Sequence, residues 1–359
     1  MRVKFNNSHY ADFTAELKSK VNSYFETKNI STFANGEMVF KTIIMISLYI
    51  IPFALILTNR LAEWQMLVCC LVMGIGTAGI GFAVQHDANH GAYSKHEWIN
   101  KTLGFTLSLV GGSDYMWRIK HNILHHTYTN IHGKDEDISV VQFLRLSPNA
   151  PLKPIHRFQH YFAWILYSML TLFWVLWSDY PKLKRYNGFG SPNADVKHPL
   201  HEVILLFAMK AFYFFYSIAI PILILDVAWW KILIGFTVLH LVAGWLITVV
   251  FQLAHVVEET DHPHPQADGL VDNSWFVHQL QTTSDFAVNN KLVTWYVGGL
   301  NFQVEHHLFP KICSIHYPAI SKIVAETTKK YNVPYYHESG LREAVYSHYK
   351  ALKAFGTSK

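Results

Sequence analysis

Charge is scarce in this sequence. Only 15% of its 359 residues are charged, against 51% hydrophobic and 15% aromatic, whereas a soluble domain carries about a quarter charged residues. That shortage excludes an ordinary soluble protein and points to an integral membrane protein. Cysteine is scarcer still. Cys69, Cys70 and Cys313 form no CxxC pair and no even set, which excludes a disulfide framework and a thiolate zinc site. The formal charge of +5 comes from basic residues scattered around apolar stretches. With no basic stripe carrying aromatic stacking positions, nucleic acid is excluded as a partner. Tandem repeats, low-complexity tracts and long Gly-rich linkers are also missing, so one folding unit is expected. The first 38 residues are polar and lack the short apolar core and small-residue cleavage site of a signal peptide. The first span is expected to act as its own targeting signal.

What the chain does contain is long apolar runs. About 20 apolar residues cross a bilayer, and candidates run from about Phe40 to Leu57, Gln65 to Val84, Phe158 to Trp177, Val203 to Leu225 and Ala228 to Ala254. Thr58-Asn59-Arg60 and Asp226-Val227 make tight breaks, so the first two and the last two runs read as hairpins. The run from Phe158 to Trp177 is rich in Trp, Tyr and Phe, which favour the headgroup level, and it is assigned to the membrane surface together with Leu103 to Val110. Four spans remain. Lys182, Lys184, Arg185 and Lys197 precede the third, while the hairpin tips carry little more than Arg60 and Lys231. The positive-inside rule then places both termini in the cytoplasm.

Histidine is the other abundant feature. Three clusters stand out among 22 histidines: His86-Asp-Ala-Asn-His90, His121-Asn-Ile-Leu-His125-His126 and Gln303-Val-Glu-His306-His307. On a helix, positions i and i+4 share a face, so His86 with His90 and His121 with His125 can each close on one ion. Seven imidazoles exceed the four or so ligands of one zinc, and the count argues for a dinuclear centre. His-Glu-x-x-His is absent, which excludes the common metalloprotease motif. The paired Glu-x-x-His of carboxylate di-iron bundles is absent too. A nearly all-nitrogen set suits iron or another first-row metal. The three clusters share one site only if an even number of spans separates them, which agrees with four crossings. Single histidines at His96, His156, His160, His198, His201, His240, His278, His316, His337 and His348 are read as interfacial residues.

The order HxxxH, HxxxHH, QxxHH, with two spans before the first box and two between the second and third, resembles the membrane fatty acid desaturases. The likeness covers about Phe40 to Pro318. Trp117-Arg118-Ile119-Lys120-His121-Asn122, and Gln303 at the head of the third box, resemble the front-end desaturases. These place a double bond between an existing one and the carboxyl end.

The resemblance implies an all-α integral membrane protein with four spans in two hairpins, interfacial helices and a cytosolic helical cap around a di-iron site. It divides the chain into a cytosolic segment 1–38, a desaturase domain 39–318 and a helical tail 319–359. It implies two irons held by His86, His90, His121, His125, His126, His306 and His307. His255, at the end of the fourth span where the family carries another histidine, is expected to join them. Gln303 is open between binding iron directly, binding through water and hydrogen-bonding a ligand.

O2 is the implied co-substrate and an acyl lipid or acyl-CoA the substrate. The His-Pro-Gly-Gly mark of a fused cytochrome b5 domain is absent, so a separate ferredoxin or cytochrome b5 is the expected electron donor. Asp87, Asn122, Glu258 and Glu305 stand beside ligands and are expected to orient them. Tyr115, Trp117, Trp295 and Tyr296 are candidate tunnel walls, and Lys95, Arg118 and Lys120 candidate headgroup contacts. A hydroxylase or ketolase on the same histidine scaffold is the nearest alternative. A metal transporter or sensor is the distant one, disfavoured by spans almost free of ionisable residues.

Overall fold

The structure, a computed structural model, describes residues 3–139, 143–186 and 198–358; Lys197 lies outside the described residues. Its long helices are α1 (Ala11–Lys28), α2 (Gly36–Leu57), α3 (Glu63–Asn89), α4 (Leu200–Ile224), α5 (Trp229–His255), α6 (Tyr317–Tyr331) and α7 (Leu341–Thr357). Chain contacts divide the protein into two interleaved units. One comprises Gly36–Ile119 and Trp164–Val249; the other comprises Met1–Asn35, Lys120–Ala163 and Val250–Lys359.

The first unit is built on the spans. α2, α3, α4 and α5 are the four helices long and apolar enough to cross a membrane, with mean hydropathy of 2.0 to 2.2. Hydrocarbon offers no partner for backbone N–H and C=O groups, so such runs satisfy them internally by becoming helices. The four suit a multi-pass membrane protein. The two connecting turns are bonded together: Asn59 Nδ2 donates to Asp226 Oδ2 at 2.6 Å and the Asp226 N–H donates to Asn59 Oδ1 at 3.1 Å. Asn59 takes a left-handed φ of 55°, which Asn tolerates better than most residues.

Small residues let these helices approach closely, as membrane helix packing requires. A Cβ added at Gly74 would meet the Leu239 carbonyl at 2.6 Å, and one at Gly76 would meet the Leu48 backbone at 2.8 Å. The aromatic segment assigned to the membrane surface forms two helices, Pro154–Ser168 and Leu170–Arg185, bent by 58°. Its second part is tied into the span unit by buried polar groups. Lys210 Nζ on α4 lies 2.9 Å from Asp179 Oδ2 and donates to the Gly111 carbonyl at 2.7 Å. Thr171 Oγ1 donates to the His240 carbonyl at 2.7 Å, and Tyr213 Oη lies 2.9 Å from His240 Nε2. The interfacial reading of His240 is therefore corrected. It sits near the middle of α5, fully buried, because its ring is satisfied by a tyrosine on α4.

The second unit carries the polar remainder. α1 presents Phe13, Leu17, Val21 and Phe25 at four-residue intervals to Ile320 and Val324 of α6, the helical repeat of one apolar face. Phe13 meets Tyr331 and Phe25 meets His316, so the two helices run antiparallel. Two short parallel ladders interrupt the all-α expectation: Lys4–Phe5 with Leu270–Val271, and Ser284–Phe286 with Tyr336–Glu338. Arg145 holds the chain end by donating to the Phe355 and Ser358 carbonyls at 2.6 and 2.7 Å. The interfacial reading is also corrected for His156, His160, His278 and His348, which are buried in the described structure. His348 Nδ1, for example, donates to the Val256 carbonyl at 2.6 Å.

Close approach makes one glycine a sensitive probe. A Cβ at Gly244 would stand 2.3 Å from the Ser168 carbonyl, whereas one at Gly36 meets nothing within 4 Å. Gly244→Ala is expected to destabilise by about 1–3 kcal/mol through forced overpacking. Gly36→Ala should change stability by less than about 0.5 kcal/mol, as an exposed substitution does. Thermal unfolding of the two purified variants in detergent checks this, and equal midpoints would refute the packing.

Candidate metal centre

The second box lies on a continuous helix, 114–128, capped at its start by Ser113 Oγ, which accepts the Met116 N–H. Residues Ile119–His125 are wound as π-helix, whose repeat is i to i+5 rather than i+4. This local widening puts His126 beside His121, with their Nε2 atoms 3.2 Å apart, while His125 still stacks on His121. Such π-turns occur most often at functional sites. A second π-helical stretch, Gly81–Gln85, precedes the first box.

Within the same unit as the second box, the end of α5 and the short helix Gln303–Leu308 contribute further imidazoles. The ring of His126 lies 4.5 Å from that of His306 and 4.4 Å from that of His307. His255 lies 4.7 Å from His125 and 4.8 Å from His307. Two triads, His125 with His255 and His307, and His126 with His306 and His307, bring their ligand atoms within 4.8 Å of one another. All of these rings are buried. In the span unit, His86 and His90 follow one another at the end of α3 with ring centroids 4.8 Å apart, and Trp117 packs edge-on against both.

A buried imidazole binds metal when one nitrogen is held as N–H and the other is left free to donate electrons. His125 Nδ1 donates to Asp135 Oδ2 at 3.0 Å, and His307 Nδ1 donates to Gln279 Oε1 at 2.7 Å. His255 Nδ1 donates to the Thr282 carbonyl at 3.2 Å, and His306 Nδ1 lies 3.4 Å from Tyr317 Oη. Each bond turns Nε2 inward. Nε2 of His125 and of His255 is then buried with no hydrogen-bond partner among the described residues, and so is Oε1 of Gln303. Orphaned buried polar atoms cost about 1–3 kcal/mol each, and three in one region fit a donor set that awaits a cation.

The supporting residues are themselves fixed. Asp135 also accepts the Asn130 N–H at 3.0 Å, and Asn130 Nδ2 reaches the carbonyls of His255, Asp261 and Thr282 at 2.8, 3.1 and 3.2 Å. Asn130 adopts a left-handed φ of 58°; a residue that both tolerates this and donates from its side chain joins the second box to the end of α5. Gln279 accepts from Thr129 Oγ1 at 2.9 Å and donates to the His126 carbonyl at 3.1 Å.

Several expected neighbours point elsewhere. Glu258 is exposed and paired with Lys350, so it orients no ligand. Glu305 is buried beside Asp285, with Tyr335 Oη 2.7 Å from Asp285 Oδ2 and 3.2 Å from Glu305 Oε1. Burial pushes the Asp285 carboxyl up to about 6, and burial and the adjacent Asp285 raise Glu305 well above the usual range. Burial and their mutual repulsion therefore favour the protonated form of the pair. Asp87 lies 3.4 Å from His86 Nδ1, and Asn122 is half-buried on the second-box helix.

Arg118 pairs with Asp114 at 2.7 Å and Lys120 pairs with Asp137, so these cations are neutralised within the chain rather than free for a headgroup. Lys95 is exposed, Tyr115 Oη lies 2.9 Å from His198 Nδ1, and Trp295 and Tyr296 are half-buried. The sequence reading missed Asp135, Gln279 and Tyr317. Only Asp135 had a local signal, the acidic run Asp135-Glu136-Asp137 after the second box.

Residues 62–339 match the family described as fatty acid desaturase. The sn-1 linoleoyl-lipid 6-desaturase of Arthrospira platensis is 37% identical over 98% of this chain and 94% of its own length. That of Synechocystis sp. is 36% identical over 99% and 98%. The acyl-lipid (8-3)-desaturase of Physcomitrium patens is 32% identical over 99% of this chain and 74% of its own length.

Gln279 offers a direct check on ring orientation. Gln279→Ala removes the acceptor of His307 Nδ1 and should weaken binding of a divalent first-row metal about 10- to 100-fold, the usual effect of losing such a support. Gln279→Glu keeps an acceptor oxygen and should recover most of the affinity. Chelator competition on the purified protein measures both, and unchanged affinity in the alanine variant would remove Gln279 from this role.

Proposed function

The chain belongs to the fatty acid desaturase family, and on that footing we propose that it is a front-end desaturase acting on a polyunsaturated acyl chain carried by a lipid. The single observation that carries this reading is the buried group of imidazoles with inward nitrogens, set in a chain whose full-length relatives include two linoleoyl-lipid 6-desaturases. Two irons are assigned to His86, His90, His121, His125, His126, His255, His306 and His307, with Gln303 as a further ligand. Bound iron would supply the O2 activation that an unactivated methylene requires, since a side-chain base contributes only about 10² to 10⁴ in rate.

In balance, a CH2–CH2 unit, O2, two electrons and two protons give a cis CH=CH and two waters. The electrons come from a separate donor, ferredoxin or cytochrome b5. The residues of this chain do the rest. Asp135, Gln279, Tyr317 and the Thr282 carbonyl fix the ring orientations. Burial of the rings keeps water from the reacting carbons. The edge of Trp117 against His86 and His90 supports its assignment to the wall beside the acyl chain.

The boxes and both termini are placed on the cytoplasmic side, on the strength of Lys182, Lys184 and Arg185 before α4 and the few basic residues at the opposite turns. In a background without the three native cysteines, a cysteine at position 60 or 226 should react with an impermeant reagent from outside, and one at 185 should not. Labelling at 185 from outside would overturn the orientation.

By resemblance to the two 6-desaturases the double bond is expected at the sixth carbon, and a clamped headgroup would make its position count from the carboxyl end. Cells expressing the chain and fed 16- and 18-carbon polyunsaturated acids should yield products with the new bond at the same carboxyl distance, read by mass spectrometry of derivatised esters. A bond held at constant methyl distance would refute the front-end reading. A hydroxylated product would replace desaturation with hydroxylation.

A further inference from the structure

We propose that the span unit holds one acyl chain of a phospholipid from the leaflet at the Arg60 and Asp226 end, in a site separate from the histidine boxes. A cavity of about 360 Å³ lies between the two helical pairs there, walled by residues that include Phe53, Trp64, Leu67, Cys70, Trp230 and Phe236. That volume falls within the range of built ligand pockets, about 300–1,000 Å³. All the wall residues fall between Tyr49 and Met73 on α2 and α3, or between Ser217 and Leu239 on α4, α5 and the turn joining them.

The box side is closed off. Met73 is the wall residue on α3 nearest in sequence to His86, and the 13 residue steps from one to the other amount to about 20 Å of helix at about 1.5 Å each. In that interval the helices meet backbone to backbone, Gly74 against the Leu239 carbonyl and Gly76 against Leu48. A chain lying in the cavity therefore belongs to the opposite membrane face.

Chemistry selects the occupant. The walls are almost wholly apolar, so a water inside would find few of the two to four partners it needs. Unfilled space of this size forfeits contacts that packed interiors make. In a bilayer the filler at hand is an acyl chain. The mouth is equipped for a headgroup: Trp64 and Trp230 are exposed, Lys231 Nζ sits 5.4 Å from the Trp230 ring centroid and pairs with Glu63, and Arg60 is exposed with no ion pair among the described residues. Tryptophan and basic residues are typical of the headgroup level, and Arg60 suits a lipid phosphate. Inside, Gly235 faces Cys70, and a Cβ added there would stand 2.9 Å from Sγ. Both residues line the cavity, so a side chain added here would narrow it at this waist.

The test uses the full chain in nanodiscs containing a phospholipid with a diazirine near the acyl terminus. Photolysis and peptide mapping should place the adduct on the segments Leu67–Met73 and Trp230–Leu239. Gly235→Leu fills the waist and Leu67→Trp fills the wall from the opposite helical pair; each should reduce that adduct roughly tenfold or more, the loss expected when about 1.4 kcal/mol of binding disappears. Having two variants on different helices guards against one failing to fold, and monodispersity on size exclusion identifies a folded one. An adduct undiminished in a folded variant, or spread evenly over the outward-facing Ile43 and Leu205, would overturn the proposal. So would displacement of the adduct by linoleoyl lipid in step with its conversion, which would make the cavity part of the substrate route.

Discussion

An imidazole in a dry interior binds a cation only when it is neutral and its free lone pair is aimed, and the polar half of this protein is organised around that condition. Asp135, Gln279, Tyr317 and the Thr282 carbonyl each engage the outer nitrogen of one ring. Each of these partners is in turn held by something else: Asp135 by the Asn130 N–H, and Gln279 by Thr129 and the His126 carbonyl. The result is a lattice in which none of these four imidazoles can rotate without losing a buried polar contact, an arrangement costly to leave half made.

The span unit meets a different requirement. Lipid gives its helices no hydrophobic reason to associate, so packing and hydrogen bonds must do it. Gly74 and Gly76 bring α3 against its neighbours, and Gly244 admits the Ser168 carbonyl against α5. Two ionisable groups buried there are satisfied: Lys210 by Asp179 and two carbonyls, His240 by Tyr213 and Thr171. These contacts fix Leu170–Arg185, the second part of the bent aromatic segment, within the unit. They serve architecture rather than transport, in keeping with an enzyme whose chemistry lies at helix ends.

Behind the third box, Asp285, Glu305 and Tyr335 form a second buried polar group. Asp285 also accepts the Val304 N–H at 2.9 Å, and its strand pairs with Tyr336–Glu338. The short ladder and the bond from the Val304 N–H to Asp285 together anchor the helix that carries His306 and His307. A local β contact, invisible to helical periodicity, is what seats that helix.

The sequence by itself determined the medium, the four spans to within a few residues, and the three boxes, because hydropathy and the i, i+4 spacing are local properties that survive any arrangement of the chain. His255 was singled out through the resemblance to a family that carries another histidine at the end of the fourth span. What supports the box imidazoles was decided only by tertiary structure. Gln279 stands 28 residues from His307 and 150 from Thr129, and nothing around it announces a bond to either. Glu258 and Glu305 were plausible supports because they stand near box histidines in sequence, yet Glu305 adjoins His306 on a helix, where neighbours face different ways, and Glu258 lies in the turn beyond the end of α5. His240 looked like an edge residue until Tyr213 gave it a partner inside. Chain neighbours could be read in advance; partners brought together across the fold could not.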